Sequence, residues 1–206
     1  MSVSRRLLFA LLLVFFSISS VAQATAARGV SGLQNMRARA LALNEISVGS
    51  GFVHQSSSSS LRHHFGNPVF IRVGLNVSSL AGLRGYRSGL QLALEPFYNT
   101  IHGNNKGFET GCGFGARYFH KLTGATNLFL EATVAPMYLG IDSREQGRAG
   151  FNFLDQIGLG VQHRLSDQYA LFSGYRLRHI SHAGIVDRPN SGINSGAFIA
   201  GISYSF

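Results

Sequence analysis

Apolar and polar residues alternate along most of this chain. From Glu45 to the C-terminus apolar side chains recur at every second position, in segments of roughly ten residues separated by turn or loop signals. The segments are Glu45–His54, Val69–Val77, Gly89–Tyr98, Phe108–His120, Asn127–Leu139, Phe151–Arg164, Tyr169–Ser181 and Asn194–Phe206. In the second, Val69, Ile71, Val73, Leu75 and Val77 alternate with Phe70, Arg72, Gly74 and Asn76. A period of two sends successive side chains to opposite faces of a strand, so the pattern predicts eight amphipathic strands. One face carries Gly and Ser with Arg72, Glu95, Glu109, Arg117, Glu131, Arg176 and Arg178, while the other is nearly free of charge.

The first two dozen residues follow a different plan. Arg5 and Arg6 precede an unbroken apolar run, Leu7 to Phe16, and Ala22-Gln23-Ala24 supplies a small-x-small cleavage site. These are the three parts of a secretory signal peptide, and the run is far shorter than the roughly 20 residues of a membrane-spanning helix. The expected organisation is a signal peptide over 1–24, a loose or helical N-terminal segment over 25–43 and a barrel over 44–206. Removing residues 1–24 takes away two arginines and no acid, leaving 16 basic against 9 acidic side chains, a net +7.

An all-β fold class is the consequence: an eight-stranded antiparallel transmembrane β-barrel of the outer-membrane type. Such strands turn apolar residues to lipid and polar residues or glycine to the lumen, and only closure satisfies every backbone hydrogen bond in a membrane. Eight strands close around a narrow, packed interior, so the inward charges are expected to pair there. A soluble lipocalin-like barrel would reverse the faces, with the apolar set around a ligand. Charged residues make up only 13% of the chain, which fits the lipid-facing arrangement and excludes intrinsic disorder. Phe206, after Tyr204 and Ile202 on one face, resembles the aromatic ending of outer-membrane barrels. Cys112 has no second cysteine to pair with and reads as a small apolar residue. Export argues against nucleic acid as the partner of the basic surface; anionic lipid or lipopolysaccharide fits better.

An even number of strands puts both termini on the periplasmic side and the longer loops outside. Leu165-Ser166-Asp167 reads as a short periplasmic turn and His182 to Ile193 as a long external loop. The seventh strand then runs outward, and its end reaches the outer-leaflet interface at His179 to Ser181. His179 and Ser181 share the lipid face with Tyr169, Leu171, Tyr175 and Leu177. Side chains two apart on a strand are successive neighbours roughly 7 Å apart along the backbone. An imidazole bridges much of that gap, which allows the base–nucleophile pairing of a serine hydrolase. The plainer reading is two interfacial polar residues capping a strand.

The surrounding residues carry a resemblance. Arg178-His179-Ile180-Ser181-His182-Ala183-Gly184, followed by Arg188-Pro189-Asn190-Ser191-Gly192-Ile193-Asn194, resembles the last hairpin of the lipid A 3-O-deacylase (PagL) family. That family shows His-x-Ser-Asn-Ala-Gly and then Pro-Asn-x-Gly-Ile-Glu. The resemblance implies an esterase in the outer membrane of a Gram-negative bacterium that removes the 3-position acyl chain from lipid A of lipopolysaccharide. It implies Ser181 as nucleophile and His179 as general base, with the backbone around Ala183-Gly184 and the side chain of Asn190 as oxyanion donors. No cofactor or metal is needed for that chemistry. The rival from another class is a non-enzymatic structural or adhesive barrel. Whether the chain is a monomer or a homodimer is left open.

Two positions depart from the family pattern. The family's Asn after the serine is His182 here, and its triad glutamate falls on Asn194. An amide can orient an imidazole but cannot stabilise an imidazolium by charge. Asp155, between Phe153 and Ile157, is the carboxylate on the apolar face of a neighbouring strand. A turn about Ser166 would set it opposite Leu177 and diagonal to His179, so it is the second candidate for the missing acid. Among the remaining residues, His63-His64 has no Asp or Glu nearby and reads as loop. Arg144, Arg148 and Arg188 read either as lipid A phosphate ligands or as solvated loop charges.

Overall fold

A computed structural model describes residues 43–56, 59–61, 63–83 and 88–206. The signal segment 1–24 and almost all of the segment 25–43 lie outside the described residues. Every predicted strand is present: β1 (Leu43–Gln55), β2 (Phe65–Asn76), β3 (Ser88–His102), β4 (Gly107–Lys121), β5 (Thr126–Leu139), β6 (Gly150–Arg164), β7 (Tyr169–Ser181) and β8 (Ile193–Ser205). Neighbours in sequence pair antiparallel, and β1 closes on β8 through a ladder from Glu45↔Ser205 to Gln55↔Ser195.

Strand extents differ from the periodicity at prolines. β2 begins at Phe65 rather than Val69, with Pro68 inside it. Proline lacks the N–H a ladder needs. Accordingly, β1–β2 pairing lapses between Ser50↔Val69 and Val53↔Gly66, β2–β3 pairing lapses beside Pro96, and β4–β5 pairing lapses beside Pro136. Each proline sits where one flanking ladder is interrupted, which lets the strand run on.

All seven inward charges named from the sequence are buried, none more than 5% exposed. Glu131 is the hub: one carboxylate oxygen accepts from Arg117 Nε and Nη2 at 3.0 and 2.8 Å, the other from Arg176 Nε at 2.7 Å. Arg176 also donates to Glu95 at 2.9 Å, and Arg72 Nη1 lies 3.5 Å from the same carboxylate. The Arg117 guanidinium stacks 4.3 Å over Phe129, within a cluster that includes Phe70, Phe172, Val53 and Ile199. Arg178 pairs with Glu109, beside a second apolar cluster that holds Leu154, Ile180 and Ile193. Facing outward are Val69, Phe114, Leu130, Ile157, Leu177 and Phe198, each more than half exposed. That is the inversion a lipid-immersed barrel requires.

Aromatic rings mark both ends of this apolar wall. Tyr98, Phe108 and Tyr138 stack at one end with Phe52, Phe65 and Phe151 nearby, and Tyr169, Tyr204 and Phe206 gather at the other. Loop lengths depart from expectation: the β3–β4 connection spans only residues 103–106, whereas the β2–β3 connection, at the end that carries the termini, spans residues 77–87.

Candidate active site on the outer wall

Register across β5, β6, β7 and β8 aligns Val134, Asp155, His179 and Asn194 in one outward-facing row. His179 and Asn194 are directly paired, and Nδ1 of the imidazole lies 2.8 Å from Oδ1 of the amide. An amide oxygen only accepts, so Nδ1 is the donor, and in the neutral imidazole Nε2 is then the nitrogen with the lone pair. Ser181 stands one row nearer the loops, opposite Phe153, which packs edge-on against Phe151 of the aromatic girdle. The spacing of His179 and Ser181 is one this barrel bridges elsewhere. On β3, His102 Nε2 lies 3.1 Å from the hydroxyl of Thr100, two residues away.

Asp155 does not occupy the position expected of it. It faces His179 directly, and Ile157 faces Leu177. The β6–β7 register runs two residues further than a turn about Ser166 allows, because that turn is longer: the Ser166 hydroxyl accepts the N–H groups of Gln168 and Tyr169 at 3.3 and 3.1 Å. A slip of two keeps every side chain on its face, so the row changed but the wall did not. Asp155 is exposed and has no hydrogen bond or ion pair among the described residues.

Beyond Ser181 the chain turns at once. Ile185 N–H donates to His182 C=O at 3.0 Å, with Ala183 at φ 52° and Gly184 at φ 72° between them. Positive φ at both central residues is the geometry of a type I′ turn, and Ala183 is the non-glycine residue that adopts it among those described. The N–H groups of Ala183 and Gly184 have no protein acceptor among the described residues. Asn190 Oδ1 accepts the backbone N–H of His182 at 3.0 Å, so the amide oxygen ties the loop and its NH₂ is the part left to donate. His182 is buried, and its Nε2–H donates to Pro189 C=O at 3.0 Å.

Other candidates resolve into structure. Arg188 donates to the backbone carbonyls of Arg148 and Phe151, clasping the β7–β8 loop (182–192) to the β5–β6 loop (140–149). Glu145 accepts from the backbone N–H and hydroxyl of Ser60, and its carbonyl accepts Ser191 N–H at 3.0 Å. Both ties escaped the sequence reading, since nothing in local spacing marks contacts between distant loops. His64 ties two loops together, Nδ1 to Leu61 C=O within the β1–β2 loop and Nε2 from Asn105 N–H of the β3–β4 loop, each at 3.2 Å. Cys112 is half-buried on the outward face of β4.

An open groove of about 400 Å³ leads from His179 and Asn194 across the wall, lined by Leu177, Ile157, Ala132, Val134 and Phe114. Ala116 and Ala132 stand side by side next to Ile157 in the row below His179, and these two small residues hollow the wall there.

Comparison with known proteins bears on this geometry. A comparison with curated protein sequences gives no match. The crystal structure of the outer membrane enzyme PagL is similar with a TM-score of 0.57 and 18% identity, over 76% of this chain and 97% of that one. Neisserial surface protein A is similar with a TM-score of 0.56 and 17% identity, over 79% and 97%. At that identity both show the outer-membrane barrel fold. The family model "Lipid A 3-O-deacylase (PagL)" matches residues 69–203, a span that holds all of the row residues and the loop beyond Ser181. This chain therefore belongs to the lipid A 3-O-deacylase (PagL) family, carboxylic ester hydrolases of the Gram-negative outer membrane.

Proposed function

We propose that this protein is a serine esterase that removes the 3-hydroxyacyl chain from the 3-position of lipid A. The observation that carries it is the outward-facing imidazole of His179, held by Asn194 at 2.8 Å with Nε2 free and Ser181 next on the same face. Nε2 takes the Ser181 proton as Oγ attacks the ester carbonyl carbon. The N–H groups of Ala183 and Gly184 and the Asn190 amide NH₂ are the donors for the oxyanion. Collapse breaks the bond to the sugar oxygen, which leaves with the proton from His179. Water, deprotonated by the same nitrogen, then releases the fatty acid from Ser181.

Asn194 serves as the orienting member in place of the family's glutamate. The groove beside His179 accommodates the acyl chain, whose ester reaches the nucleophile without leaving the membrane. Mass spectrometry of lipid A from membranes with and without the protein tests the reading. Loss of one ester-linked 3-hydroxyacyl chain is expected, and it should vanish in Ser181→Ala and His179→Ala. The double variant should be little worse than either, because the two act as one unit. Full turnover in Ser181→Ala rules out the serine mechanism.

A further inference from the structure

Gly192 closes the β7–β8 loop just before Asn194, at φ 79°. A Cβ built on it would stand 2.4 Å from Cε1 of His179 and 3.2 Å from Nε2. No real Cβ tolerates the first distance, and Nδ1 lies at 3.4 Å, so the backbone of Gly192 lies directly against the Cε1 corner of the ring, between its two nitrogens. Asn194 holds Nδ1 at 2.8 Å. One hydrogen bond leaves an imidazole free to swing about it, whereas a hydrogen bond at Nδ1 and a backbone stop at the adjacent Cε1 limit that swing. The stop is itself anchored: Ser191, its chain neighbour, donates to Glu145 C=O at 3.0 Å, and Arg188 clasps the same loop to Arg148 and Phe151.

We propose that Gly192 is a positioning residue, a backbone stop that sets the orientation of the His179 imidazole toward Ser181. The proposal rests on His179 acting as the base. Its glycine is required twice, by the left-handed backbone and by the space the ring occupies. These two requirements are separable, because strain at positive φ persists when the ring is removed while the collision does not.

The experiment is a double-mutant cycle on the full-length protein in detergent micelles, with kinetics on the folded single variant. Gly192→Ala should lower the thermal midpoint clearly in the wild-type background and much less in the His179→Ala background, where the ring is gone. In folded Gly192→Ala, kcat should fall about 100-fold with KM nearly unchanged, the signature of a displaced reacting group. If Gly192→Ala does not fold but Gly192→Ala/His179→Ala does, the contact is upheld. Equal destabilisation in the two backgrounds, failure of both to fold, or wild-type kcat in Gly192→Ala overturns the proposal. Ser181→Ala and His179→Ala are assayed alongside. Wild-type turnover in either sinks the serine mechanism, whereas two inactivated variants beside a fully active Gly192→Ala sink only the role of Gly192.

Discussion

Nδ1 of His179 and Oδ1 of Asn194 meet at 2.8 Å from directly paired positions on adjacent strands. The amide selects the tautomer that leaves Nε2 unprotonated, but it supplies no charge when that nitrogen takes a proton. Asn194→Ala should therefore lower kcat by about 100-fold or more, since losing the correct tautomer in serine proteases costs about 10⁴. Rate measurement on purified, folded variant checks it, and a wild-type rate would remove Asn194 from the site.

Restoring a carboxylate at the same position goes the other way. Asn194→Glu should raise kcat, by about tenfold or more, because the charge stabilises the imidazolium formed as Ser181 attacks. A neutral or harmful outcome would indicate that a charge already serves His179 from another strand.

Asp155 is the residue that could supply it, sitting across from His179 on the other side. It is exposed and unbonded to the imidazole, so Asp155→Asn should change kcat by about fivefold or less, the scale of a solvated charge pair at about 4 Å. A loss of orders of magnitude would transfer the acid's role from Asn194 to Asp155.

The periodicity carried the architecture because burial in this barrel is a two-sided constraint. Arg117 and Glu131 must face inward and Leu130 and Phe114 outward, so each strand displays its own faces without reference to neighbours. Register is another matter. A slip of two residues preserves the faces, and the Ser166 hydroxyl, by lengthening the β6–β7 turn, slid Asp155 from Leu177 to His179 without disturbing any alternation. The pairing of His179 with Asn194 was legible only through the resemblance of the last hairpin to the family's motif. The stop at Gly192 was not, because it depends on how the β7–β8 loop folds back on its own strand, nor were the Arg188 clasp and the Glu145 tie, because each joins loops far apart in the sequence.

The interior network should be costly to break and silent in catalysis. Glu131→Gln leaves Arg117 and Arg176 without their shared carboxylate in a buried site, for a loss of about 3–5 kcal/mol. Urea unfolding in lipid vesicles measures it. The specific activity of the molecules that remain folded should match wild type, since no residue of that network faces the outer wall.

Glu145 gives the external loops a dependence on pH. Partial burial alone would raise its carboxyl, but the backbone N–H and hydroxyl of Ser60 outweigh that and hold it below the ordinary 4.5. A group depressed in the folded state adds stability above its unfolded value, and the contribution disappears as pH falls through the folded value. The tie between Ser60 and the β5–β6 loop should thus be intact at neutral pH and loosen below about pH 4.5. Amide hydrogen exchange at Ser60 across that range should show the opening. Glu145→Gln should flatten its dependence on pH.

On the proposed serine mechanism, a nucleophile on the wall of a packed barrel changes which concentration matters. A lumenal or cleft enzyme samples its substrate from solution in three dimensions. Here Ser181 borders the aromatic girdle that faces the lipid, and the interior behind it is filled by Leu154, Ile180 and Ile193 beside the Arg178–Glu109 pair. Encounter is then a two-dimensional collision, governed by lateral diffusion and by the mole fraction of substrate in the sheet. Adding inert amphiphile at constant total substrate dilutes the surface and slows the reaction, while enlarging the aqueous volume does nothing.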